Sequence, residues 1–192
     1  MNPGIIETVT GDIFKFSTSN CDGCALWARS GYNGLWCDWA DFYKNIKERM
    51  YLYVKVNGNW MEPPPVEDME EEMYKQTPSE EPWMDEFCGK LFRIIPPEQK
   101  LDILYIHPNP QNECVRDINN IPNMVTNALD DLRWAKAKSI AFNGIQIAVK
   151  ENQPTTEEIS RIMIDTANNW LESNSGIDKI YFVDLRGGFE ID

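Results

Sequence analysis

Residues 138–157 read KSIAFNGIQIAVKENQPTTE. The run Ser139–Phe142 has the apolar, β-branched and aromatic character of a short buried strand. It breaks at Asn143-Gly144, and Thr155 or Thr156 then caps a helix in which Ile159, Ile162, Met163, Ala167, Trp170 and Leu171 share one face. A strand that leads through a loop into a helix is one repeat of an alternating α/β fold. The C-terminal end of such a strand is also where open α/β sheets hold ligands, because backbone N–H groups there can face an anion. Asn143, Gly144, Ile145 and Gln146 are therefore candidate ligand-binding positions at the mouth of a cleft, with Gly144 permitting the backbone turn. The alternative is a tight turn between two core elements.

The same alternation extends outward in both directions. IIETVT near the start and KIYFVDL at 179–185 read as strands, as do CALWA (24–28), YLYVKV (51–56), KLFRII (90–95) and LDILYIH (101–107). Trp39, Phe42, Tyr43, Ile46 and Met50 recur at helical spacing, with Asp38 available as N-cap, and Ile121, Met124, Val125, Ala128, Leu129 and Leu132 make a second stripe. This order predicts a three-layer α/β domain, a mixed sheet with helices on both faces.

The chain of 192 residues is 42% hydrophobic, which fits a single domain spanning 1–192 with a sizeable core. Its formal charge of −13 disfavours direct binding to nucleic acid. No run approaches the length of a membrane span and no charged-then-apolar leader opens the chain, so a cytoplasmic protein with no membrane association is expected. Five cysteines at irregular spacing argue for reduced thiols rather than a disulfide framework, and the lone pair Cys21-x-x-Cys24 reads as structural rather than as a metal site. No metal and no cofactor are expected.

Residues 57–88 stand apart as an acidic, Pro/Glu-rich insertion. Within it, residues 62–86 carry ten acidic side chains against one Lys, so they hold −9 of the total charge. Three consecutive prolines followed by clustered Glu oppose a continuous strand. Met69, Met73, Tyr74, Trp83 and Met84 are interspersed among the acids, which a purely solvating segment would not need. The segment is thus a candidate docking element for a basic protein partner, and the chain as a whole a candidate interaction or inhibitor protein.

VTGDIF near the N-terminus, the glycine-containing SGYNG after CALWA, and the late KSIAFNGI with IDKIYFVDL together resemble a divergent macro domain. The resemblance covers most of the chain apart from residues 57–88, and Gly11-Asp12-Ile13 and Ser139–Phe142 are its most specific pieces. It implies recognition of ADP-ribose or a related adenine nucleotide. By this resemblance Asp12 accepts from the adenine amino group and the Ile13 amide contacts the ring; Gly31, Asn33 and Gly34 lie by a ribose or phosphate. Read without the resemblance, Asp12 caps a turn after Gly11.

An active member of such a family would be an ADP-ribosyl or ADP-ribose-phosphate hydrolase. The chain departs from that pattern: Trp27 and Arg29 stand where amides are expected, and Gln146, Ala148 and Val149 replace the small residues of a phosphate loop. Asp22, Asp38, His107, Glu151 and Asp184 all fall at expected strand ends or loops, where general acid or base work would need them, with no spacing that singles out a pair; Asp22, Asp38 and Glu151 are the candidate catalytic carboxylates. Weak ADP-ribose binding without efficient hydrolysis is the expectation.

Overall fold

The computed structural model describes residues 4–29, 39–54, 59–60, 89–109, 118–145, 155–185 and 187–189. Its elements are β1 (Ile5–Thr10), α1 (Ile13–Asn20), β2 (Gly23–Arg29), α2 (Trp39–Ile46), β3 (Met50–Val54), β4 (Asn59–Trp60), β5 (Lys90–Glu98), β6 (Leu101–Asn109), α3 (Ile121–Trp134), β7 (Ser139–Phe142), α4 (Thr156–Ser173) and β8 (Lys179–Asp184). Among the described residues the strands form one eight-stranded sheet in the order β1-β8-β7-β2-β6-β5-β3-β4. The first five strands in that order run parallel. The last three join antiparallel, which makes the sheet mixed.

Successive strand side chains point to opposite faces, and here each face is claimed by a different pair of helices. Ala25 and Trp27 of β2, Ile103 and Tyr105 of β6, Ile140 and Phe142 of β7, and Ile180 and Phe182 of β8 pack with α3 and α4. Cys24 and Leu26, Leu104 and Ile106, Ala141 and Val183 pack instead with Ile13 and Phe14 of α1 and Phe42 and Ile46 of α2. Burial on both faces is why CALWA and SIAF read as unbroken apolar runs rather than as alternating ones. The result is the three-layer α/β fold that the alternation predicts.

Helix α3 inserts Met124, Val125, Ala128, Leu129 and Leu132, all fully buried, into the first core. Each large aliphatic side chain so buried stabilises the fold by about 1.5–3 kcal/mol, and Leu129→Ala would cost about 2–5 kcal/mol once the cavity is included. Helix α4 starts at a capping box: Glu158 N donates to Thr155 Oγ1 at 3.1 Å, and Thr155 N donates to Glu158 Oε2 at 2.8 Å.

Helix α1 is absent from the sequence reading, which takes Gly11-Asp12 only as a turn. Its segment IFKFSTSN is rich in Ser and Thr, whose helix propensity is modest. Burial of Ile13, Phe14 and Ser17 together with the Asp12 cap overrides that weak local preference. Within the 57–88 stretch, Asn59 and Trp60 pair with Val54 and Tyr53 of β3. Residues 62–86 lie outside the described residues. Among the described residues no helix is long and apolar enough to cross a membrane.

Candidate functional site

The parallel strands end together along one edge of the sheet, the edge at which this architecture leaves backbone groups free for a ligand. Thr10 of β1 is paired with Asp184 of β8, and Phe142 of β7 with Phe182 of β8. The turn Gly11–Asp12–Ile13, the loop Asn143–Gly144–Ile145 and the turn that follows β8 therefore leave the sheet side by side.

Asp12 has extended backbone and is the N-cap of α1. Its Oδ1 accepts from Phe14 N at 2.8 Å and from Lys15 N at 3.2 Å. Both bonds fall on one carboxylate oxygen, which fixes the side chain and leaves Oδ2 without a helix amide. The amide of Ile13 opens α1 and has no intrahelical acceptor, while the Ile13 side chain is buried in the second core. Among the described residues, its chain neighbours aside, nothing lies within 4 Å of where a Cβ on Gly11 would stand. Helix capping and ligand recognition, set against each other in the sequence reading, are compatible here.

The 143–145 loop differs from its expected form. Asn143 is 8% exposed, its amide donates to Ala25 O at 3.4 Å, and its Oδ1 accepts from Trp27 N at 2.9 Å. It continues the β7–β2 ladder by one residue instead of presenting a free N–H at a cleft mouth. Ile145 is buried in the α3–α4 core. Gly144 is half-buried and does not take a left-handed φ, so the turn does not require glycine for its backbone geometry. A Cβ there would meet the Phe189 ring at 3.7 Å, an ordinary contact.

Asp22 lies at the other end of the sheet, just before β2. Its carboxylate accepts from Lys138 N at 3.0 Å and Ser139 N at 2.9 Å, and its carbonyl accepts from Ile103 N at 3.0 Å. It staples the beginnings of β2, β6 and β7, and it is a sheet length from the Asp12 edge. The sequence marks Asp22 only as a loop carboxylate because the strand starts it joins are far apart in the chain. Nearby, burial raises the Asp102 carboxyl above its ordinary range against the opposing pull of Arg93. Asp38, Glu151, Gly31, Asn33, Gly34 and Gln146 lie outside the described residues.

Trp27 is 1% exposed and packs among Tyr105, His107 and Phe142 on the α3–α4 face. Its indole N–H has no hydrogen-bond partner among the described residues. His107, two residues before the end of β6, is buried in this cluster. Cys21 and Cys24 are free and fully buried. Burial pushes the Cys21 thiol up to about 12 and the Cys24 thiol higher still. Among the described residues no group of three or more His, Cys, Asp or Glu converges on a point where a metal could sit.

The sequence places Asp184 at a strand end but gives it no partner; the structure supplies two. It ends β8, its carbonyl accepts from Gly11 N at 2.9 Å, and its Oδ2 accepts from Gly188 N at 2.9 Å. An Asp that follows an apolar strand and precedes Gly187-Gly188 was the available signal.

No protein-family model matches the chain, and no curated protein sequence does. Solved structures do match it in fold. A macrodomain of Oceanobacillus iheyensis with MES bound superposes with a TM-score of 0.62 at 15% identity, over 98% of this chain and 90% of that one. A Trypanosoma brucei macrodomain in complex with ADP-ribose gives 0.61 at 13% identity, over 96% and 67%. The macro domain of ganglioside induced differentiation associated protein 2 gives 0.60 at 13% identity, over 96% and 79%. The chain has the macrodomain fold.

Proposed function

We propose that this chain, built on the macrodomain fold, recognises ADP-ribose or a related adenine nucleotide along the C-terminal edge of its parallel strands and does not hydrolyse it efficiently. The observation that carries the reading is Asp12. Its carboxylate is oriented by two helix amides through one oxygen, next to Gly11, against which no described residue beyond its chain neighbours packs. An acceptor held in this way suits the exocyclic amino group of adenine, and the neighbouring Ile13 amide suits a ring nitrogen. The ADP-ribose held by the Trypanosoma brucei neighbour supports the choice of ligand class. The absence of efficient turnover rests on Trp27, Arg29 and Gln146 standing where an active member of the family would carry amides and small residues, and on Asp22 being committed to the far end of the sheet. Calorimetric titration with ADP-ribose tests the proposal; no heat at millimolar ligand defeats it.

A second reading rests on charge. Residues 62–86 hold −9 of the −13 total, so a partner recruited by them is basic. Such binding weakens between low and physiological salt as the screening length falls to about 8 Å. A pull-down in which deletion of 62–86 leaves capture and its salt dependence unchanged removes this reading.

A further inference from the structure

Asp184 makes contacts in two directions. Its carbonyl accepts from Gly11, the residue immediately before Asp12, and its Oδ2 accepts from Gly188. The second bond closes a turn in which Gly187 takes a φ of 70°, a left-handed conformation that favours glycine. That turn delivers Phe189 onto Phe182, with ring centroids 5.0 Å apart, and leaves Phe189 2% exposed. The far edge of the Phe189 ring lies against Gly144. A Cβ on Gly188 would stand 3.6 Å from Thr156 Cγ2 in the first turn of α4. The backbone of residue 184 thus holds Gly11 on one side, as any residue there would, while the Asp184 side chain, through Gly188 and Phe189, braces the loop after β7 on the other.

The sheet itself stops short of this edge. Its register ends at the pairs Thr10 with Asp184 and Phe142 with Phe182; the bonds Gly11 N to Asp184 O and Asn143 N to Ala25 O carry it one residue further, and among the described residues no ladder bond sets the separation of what lies beyond those two. We propose that Asp184 is a positioning residue, holding the Gly11–Asp12 turn and the Asn143–Ile145 loop at a fixed spacing so that a ligand with an adenine at one end and a diphosphate further along meets both together. This inference rests on the nucleotide reading of the site. A ligand short enough to touch only the Asp12 end does not sense the spacing, and adenosine is such a ligand. When the spacing varies, only part of the population is competent for the longer ligand, and its apparent affinity falls by that fraction.

The experiment compares the unmutated chain with Asp184→Ala and Asp184→Asn, titrating each with ADP-ribose and with adenosine. Amide hydrogen exchange of the three ligand-free proteins is followed at residues 11–14 and 143–145. Asp184→Ala is expected to weaken ADP-ribose by about tenfold or more while changing adenosine by less than about threefold. Asn keeps an acceptor for the Gly188 amide, so Asp184→Asn restores most of the difference. Exchange in Asp184→Ala rises at 143–145 and is unchanged at 11–14, because the carbonyl that holds Gly11 is retained. A variant that has merely lost stability weakens both ligands alike, and that outcome overturns the proposal, as does Asp184→Asn behaving like Asp184→Ala. If the unmutated chain binds neither ligand, the nucleotide reading fails by itself. The exchange data then decide the brace: a rise at 143–145 with 11–14 unchanged supports it, and no rise at 143–145, or a rise at both, overturns it.

Discussion

Substituting Asp12 separates the two jobs that the structure gives it. Asp12→Ala removes an N-cap whose oxygen serves two amides, at 2.8 and 3.2 Å. Such a loss costs about 0.5–2 kcal/mol, typically about 1. In a domain of this size that lowers the melting midpoint by about 2–4 °C. Asparagine caps helices about as well as aspartate, so Asp12→Asn should melt within about 1 °C of the unmutated chain. Ligand affinity should behave differently. With Oδ1 of the asparagine engaged by Phe14 and Lys15, the atom left for adenine is Nδ2, a donor facing a donor. Both variants therefore lose the charge-assisted bond, worth about 1.5–3 kcal/mol, and weaken ADP-ribose binding by about tenfold to more than a hundredfold. The assay is thermal melting beside calorimetric titration. If Asp12→Asn binds ADP-ribose as tightly as the unmutated chain, Asp12 is a helix cap and nothing more, and the proposed adenine contact is wrong.

Other positions give independent checks. Asn143→Ala strands the buried Trp27 amide that Asn143 Oδ1 now satisfies, and should cost about 1–3 kcal/mol in chemical denaturation; a neutral result would mean that another acceptor reaches this N–H. Gly144→Ala should be neutral or stabilising by about 0.4–1 kcal/mol, because its backbone is not left-handed and its Cβ fits against Phe189. The same variant should lose ADP-ribose affinity in titration if a phosphate lies against the 144 backbone, and keep it otherwise. The thiols of Cys21 and Cys24 should resist iodoacetamide at neutral pH until the chain unfolds, since burial keeps both protonated. For Cys21 the folded value near 12 exceeds the ordinary value of 9.0, so its contribution to stability is present in full below pH 9 and is lost as pH rises towards 12. Mass spectrometry that finds either residue labelled in the native state would contradict this burial.

Local pattern was enough to specify most of the elements. The β-branched runs that became β2, β5, β6, β7 and β8 could be read directly, and so could the apolar stripes of α2, α3 and α4 and the Thr155 cap of α4, because strand alternation, helical periodicity and capping involve residues within a few positions of one another. The layer order followed from the alternation of those elements. Helix α1 was hidden because its Ser- and Thr-rich segment has weak intrinsic preference, and only packing of Ile13 and Phe14 on the sheet makes it form. The site was less legible still. Asn143 meets Trp27 across 116 residues, and Asp22 meets Lys138 across the same separation. A carboxylate, an amide or a glycine has the same identity whether it faces a ligand or closes a strand junction. Which of these it does depends on which parallel strands lie side by side, and parallel neighbours are joined by long crossovers that leave no short-range trace in the sequence. The sequence by itself therefore determined the periodicities and the three layers. Only the tertiary structure decided that Asn143 clamps β2, that Asp22 belongs to the far end of the sheet, and that Asp184 joins the turn at Gly11 to the ring of Phe189.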